Sequence, residues 1–230
     1  MKIEFYGAAG GVTGSHTVLD TGPFRLGVDA GLFQGREADR SQRDLGHDPR
    51  SLSAIVLTHA HIDHSGRIPL IVKEGFKGPV LTTPATADLC EILLKDSAHL
   101  MEEAAEHERR HHDIRHGQMG SLLYTHDDVL HSLRHLRPVA YGREHSIGGL
   151  SVRLKDAGHI LGSAIIEVSL GRKRLVFSGD LGRPGSPFLR DPERVACLLY
   201  TSPSPRDSAV YLVWRLLLEK ARGGGGGGGG

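Results

Sequence analysis

Three histidines and an aspartate stand within six consecutive positions, His59-Ala60-His61-Ile62-Asp63-His64. Neutral imidazole and carboxylate are the donors that suit zinc and similar divalent ions. One open catalytic ion does not need four such donors, so the stretch points to two adjacent ions. His59 and His61 are two apart, and an extended or turning backbone can face both the same way. The alternative is a histidine-rich surface turn. It loses weight because later segments supply the partners that a metal site needs.

Those partners follow other predicted strands. His159 comes after Gly158, just past the strand Val152 to Asp156. Asp180 comes after Gly179, just past Leu175-Val176-Phe177. Asp29 ends the second strand of a hairpin over residues 15–28 and is expected to hold an imidazole N–H from behind, fixing its tautomer. Taken singly, His159 reads as a satisfied core histidine and Asp180 as a turn residue. Together with the His59 cluster they predict convergence on one sheet edge.

The elements that must position these residues are legible in outline. Ala54-Ile55-Val56-Leu57 reads as a buried strand, with Thr58 opening the ligand-bearing turn and a helix expected from Ser65 to Glu74. Ile3 to Tyr6 is a first strand, and Gly7 to Gly14 a glycine-rich loop that lacks the ending of a phosphate-binding loop. Arg36 to Pro49 reads as surface loop with some helix. A strand at Pro79 to Leu81 leads through Thr83 and Pro84 into a helix with the stripe Leu89, Ile92, Leu93, Leu100 and Ala104. Thr125 caps another helix, with Val129, Leu130 and Leu133 on its buried side and Pro138 as its end. Strands are predicted at Val139–Tyr141, Glu144–Ile147, Leu150–Lys155, Ala164–Leu170 and Lys173–Phe177.

Composition sets the bounds. The 230 residues are 39% hydrophobic and 24% charged with net charge +1, which suits a globular domain without a global basic field. Most of the 15 histidines must lie outside any site. His107, His111, His112 and His116 sit among charged residues and are expected in solvent. Arg109, Arg110 and Arg115 nearby could touch a phosphate backbone, although a charge run is usually an exposed face. His126, His131 and His135 are placed on or beside an exposed helix face. Cys90 and Cys197 suggest no disulfide framework. The N-terminus has no apolar signal core and no run spans a bilayer, so a cytoplasmic location is expected.

The motifs resemble the metallo-β-lactamase superfamily, whose metal motif is His-x-His-x-Asp-His followed by a lone histidine and a lone aspartate. Val28-Asp29-Ala30-Gly31-Leu32-Phe33-Gln34-Gly35, His64-Ser65-Gly66-Arg67-Ile68-Pro69-Leu70, Asp156 to Ala164 and Phe177 to Arg183 are similar to its β-CASP branch of RNA- and DNA-processing nucleases. The resemblance runs from residue 1 to about 197. It implies an α/β fold, the αββα sandwich, with a dinuclear zinc site on one edge. It places His59, His61 and His159 on one zinc ion, Asp63 and His64 on the other, Asp180 bridging both, and Asp29 behind. It implies phosphodiester hydrolysis of single-stranded RNA by an activated water, with Asp63, Asp180 and His159 as catalytic residues. It does not distinguish endonuclease from exonuclease.

Residues 198–230 depart from that pattern. The family continues with a Glu-Ser-Thr-Tyr-Gly-like motif, an inserted β-CASP domain and the closing strands that carry a last histidine ligand. Here Tyr200 to Asp207 and the octaglycine Gly223 to Gly230 read as a tail foreign to the family. The expectation is therefore an incomplete sandwich over 1–197, with weak RNA binding and poor cleavage. The alternatives are a (thio)ester, lactone or β-lactam hydrolase of the same fold, or a non-catalytic scaffold.

Overall fold

Ala54-Ile55-Val56-Leu57 is apolar without alternation because both faces of its strand are covered. In the computed structural model, which describes residues 1–35, 42–111 and 122–195, Ile55 and Leu57 pack among helices. Ala54 and Val56 pack against a second sheet. Truncating either Ile55 or Leu57 to alanine would cost about 2–5 kcal/mol.

The first sheet has six strands in sequence order: β1 (Lys2–Gly7), β2 (His16–Asp20), β3 (Arg25–Val28), β4 (Ala54–Val56), β5 (Val80–Thr82) and β6 (Leu136–Pro138). Strands β1 to β3 are antiparallel, and β3 to β6 run parallel. The second sheet is antiparallel, with β7 (Glu144–Ile147), β8 (Leu150–Asp156), β9 (Ala164–Leu170) and β10 (Lys173–Phe177) in the order β10-β9-β8-β7. Leu19, Leu26, Val28 and Leu81 of the first sheet meet Leu150, Val152, Leu154, Ile166 and Val168 of the second.

Helices α1 (Ile62–Ser65), α2 (Ile68–Lys73), α3 (Pro84–His111) and α4 (His126–Leu133) lie on the other face of the first sheet. Ile68, Ile71, Cys90, Leu94 and Val129 share one core with Val18, Ile55, Leu57 and Val80. Among the described residues three of the expected layers are present: helices, sheet and sheet. None of the described helices is long and apolar enough to cross a membrane. The tail expected from residue 198 and Cys197 lie outside the described residues, as do His112, His116, Arg115 and residues 36–41.

Several local expectations need correction. Helix begins at Ile62, not Ser65, because the His61 carbonyl already accepts from the His64 and Ser65 amides. It breaks at Gly66 and restarts at Ile68, where Pro69 sits in the first turn. Proline lacks the N–H that an uninterrupted helix would use there. Strand β6 replaces the one placed at Val139–Tyr141. Pro138 ends that strand instead of the helix, and an edge strand tolerates it. On α3 the buried positions are Thr86, Cys90, Leu94 and Ala98, while Ile92, Leu100 and Ala104 are exposed. Ile92 is two positions from both Cys90 and Leu94, about 200° round the helix. On α4, Val129 and Ser132 are buried and Leu130 is exposed.

Candidate metal centre

Parallel strands end on the same edge of a sheet, and loops there meet. Asp29 leaves β3, Thr58 and His59 leave β4, and α1 then carries Asp63 and His64. The second sheet supplies His159 from the β8–β9 loop and Asp180 just after β10. Strands β8 and β10 point the same way, each being antiparallel to β9, so these two ligands also share an edge. Gly179 (φ 54°) makes the turn into Asp180, and a Cβ there would stand 2.8 Å from Thr58 Cβ.

The six predicted side chains are brought together. His59, His61, His159 and Asp180 each offer an atom within 4.8 Å of the others. His59 Nε2 is 3.0 Å and His159 Nε2 is 3.3 Å from His61 Nδ1. Around a tetrahedral zinc ion with bonds of 2.0–2.1 Å, neighbouring nitrogens stand about 3.3 Å apart. Asp180 Oδ2 lies 3.5 Å from His159 Nε2 and 3.9 Å from His59 Nε2. Its other oxygen lies 3.5 Å from His64 Nε2, which is also 3.9 Å from Asp63 Oδ2. Asp180 thus turns one oxygen to each of two donor groups.

The buried His64 Nε2 makes no hydrogen bond. At 3.5 Å the Asp180 oxygen is an ion-pair neighbour and not a well-aligned acceptor. Behind it, His64 Nδ1 is 2.7 Å from Asp29 Oδ2. Asp29 also accepts from the Thr58 amide at 2.8 Å and the Thr58 hydroxyl at 2.9 Å. Its φ of 58° is the left-handed region that side chains other than glycine rarely adopt.

The electrostatics favour a cation. Burial, then the charge on His64, push His59 down to about 2, so its lone pair is available at neutral pH. Burial alone would also depress His64, but the Asp29 and Asp180 carboxylates outweigh it and raise it to about 10. Without a metal, a proton on His64 supplies the positive charge that the carboxylates demand. An orphaned ring nitrogen, converging imidazoles and carboxylates on two sides fit divalent ions.

Other described histidines lie elsewhere. His99, His107, His126 and His131 are exposed, and His135 Nδ1 is 2.9 Å from the Gly78 carbonyl. Arg110 is exposed and pairs with Glu106 at 2.9 Å. Sequence reasoning missed His16 and His47, which lie behind Asp29. Their Nε2 atoms are 2.7 Å apart, and His16 Nδ1 is 2.7 Å from the Asp29 carbonyl. No spacing signal marks them, because they are 31 residues apart in sequence.

The family model described as "Metallo-beta-lactamase superfamily" matches residues 13–224. The chain is 40% identical over 192 residues to "Ribonuclease TTHA0252" of Thermus thermophilus, covering 84% of this chain and 40% of that protein. It is 29% identical over 187 residues to "Transcription termination factor FttA" of Methanocaldococcus jannaschii, covering 79% and 27%. It is 26% identical over 186 residues to "Endoribonuclease ysh1" of Emericella nidulans, covering 79% and 20%. The chain thus spans 40% or less of the length of these relatives, two of which are named as ribonucleases.

Proposed function

The chain belongs to the metallo-beta-lactamase superfamily, and from that premise we propose that it is part of a two-zinc ribonuclease that hydrolyses phosphodiester bonds of single-stranded RNA. The observation that carries the reading is Asp180, whose two oxygens face two separate donor groups. His59, His61 and His159 would hold one ion, Asp63 and His64 the other, and Asp180 both. Zinc ions bound there would supply the charge that activates water near neutral pH and polarises a phosphate oxygen.

The chain's own residues supply the rest. Asp29 keeps the proton of His64 on Nδ1 and so turns Nε2 toward the site. Burial keeps His59 neutral and able to donate its lone pair. Asp63, in the first turn of α1, would hold its ion and help to orient the polarised water. The names of the relatives support RNA as the substrate, and the β-CASP-like motifs weigh against lactam or thioester chemistry.

The test combines metal analysis with hydrolysis of end-labelled single-stranded RNA, a thioester and a β-lactam. Two zinc ions per chain and RNA cleavage abolished by chelation are expected. Zinc with ester or lactam turnover and intact RNA would overturn the ribonuclease reading. A chain that takes up no zinc would overturn the metal centre itself.

A further inference from the structure

The donors come from two different sheets, so something must set the distance between them. His59, His61, Asp63 and His64 follow β4, whereas His159 lies in the β8–β9 loop. The donor groups of a binding site must be held to within about 0.5 Å, and apolar contact between sheets does not have that directionality.

A specific contact spans the gap. The Gly162 carbonyl, three residues beyond His159, accepts from Thr83 Oγ1 at 2.7 Å and from Thr86 Oγ1 at 2.8 Å. Both threonines are buried at the start of α3. Each hydroxyl has one hydrogen and the carbonyl has two lone pairs, so the two bonds can coexist. Thr83 Oγ1 still accepts from the Thr86 amide at 3.2 Å as the helix cap. Gly162 has φ 83°, and a Cβ there would stand 2.5 Å from the Thr86 nitrogen and 2.7 Å from its hydroxyl. Only glycine can approach so closely.

The loop is stiff enough to pass this restraint to His159. Ser163 Oγ accepts from the amides of His159 at 3.0 Å and Ile160 at 3.2 Å. The Ser163 amide donates to the Ile160 carbonyl, and the Ser163 carbonyl accepts from the Ala157 amide, both at 3.0 Å. Tyr141 donates its hydroxyl to the same Ser163 carbonyl at 2.8 Å. Beside it the Ala164 amide donates to the Thr58 carbonyl at 2.8 Å.

We propose that Thr86, with Thr83, is a positioning residue that latches the His159 loop to the first sheet and so sets the geometry of the ion held by His59, His61 and His159. The proposal rests on the metal reading above for its consequence, but not for the latch itself. Thr86→Val removes the hydroxyl and keeps the shape, and Thr86 is not the cap. Thr86→Ser restores a hydroxyl.

Two measurements test it. In metal-free protein, hydrogen exchange of the amides from Ala157 to Ala164 should quicken about tenfold in T86V, with β4 and β5 unchanged and T86S close to the parent. In chelator competition, T86V should weaken one zinc ion about tenfold and leave the other as it was. X-ray absorption should show fewer histidines on the weakened ion. Unchanged loop exchange in T86V would overturn the latch. Equal weakening of both ions with a general loss of stability would overturn its positioning role. A parent chain that binds no zinc sinks the metal reading instead, and the exchange measurement still decides the latch.

Discussion

Two histidine groups sit back to back on either side of Asp29, and the buried histidine that meets it from each side is left in an opposite state. Behind it, His16 and His47 face each other at 2.7 Å, with Tyr6 against both rings. His16 donates from Nδ1 to the Asp29 carbonyl, so its Nε2 must accept from His47. Two neutral tautomers satisfy that arrangement, and burial depresses His16 to about 3. In front, His64 meets the Asp29 carboxylate and is raised to about 10. Proximity of imidazoles therefore does not make a metal site. Carboxylates aimed into the group create the demand for a cation.

Removing the shared carboxylate should break the contrast most severely. Asp180→Ala takes an oxygen from both donor groups, so zinc content should fall below two per chain and RNA hydrolysis by about 100-fold or more, beyond the loss typical of an outer partner. Full zinc content or an unchanged rate would take Asp180 out of the site.

Asp29→Asn should be the next largest. The amide keeps the shape but loses the charge, and zinc at the His64 side should weaken about 10–100-fold. A pH signature accompanies it. The raised His64 stabilises metal-free parent protein fully below pH 6.5, and that contribution is lost as pH rises through about 10. In D29N, thermal melts across that range should show a shallower slope, with the part due to Asp180 remaining.

His16→Asn addresses the other side of the comparison. The depressed pKa of His16 means that its stabilising effect is complete above pH 6.5 and is lost as pH falls toward about 3. The variant should have a shallower acid limb in thermal melts and about 1–3 kcal/mol less stability at neutral pH, because His47 loses its acceptor. Its zinc content should equal the parent's. A lost zinc ion would show that the two groups are one functional unit. His131→Ala, on the exposed face of α4, should change stability by less than about 0.5 kcal/mol and leave both ions in place.

The metal motif was legible because its donors are local. His59 to His64 lie on one turn and one short helix, and the spacing alone brings them near each other. His159 and Asp180 were found because each directly follows a strand pattern, and strand ends are where open sheets gather ligands. Of the α3 stripe, Leu89 and Leu93 do pack on the core, but Ile92 and Leu100 were placed with them only because they are apolar. Apolarity does not say which side of a helix meets a sheet. The helix entry was misplaced because a four-residue turn from Ile62 to Ser65 has no periodicity to detect.

By itself the sequence determined the donor types, their local order and the strands that precede them, since these follow from short-range sterics and hydrophobic pattern. Only the tertiary structure decided which histidines face carboxylates and which face each other. It also decided that Asp180 looks two ways and that Gly162 sits under two hydroxyls. Those relations join residues far apart in the chain and on different sheets. Burial and charge act through space, and both depend on how the sheets close over one another.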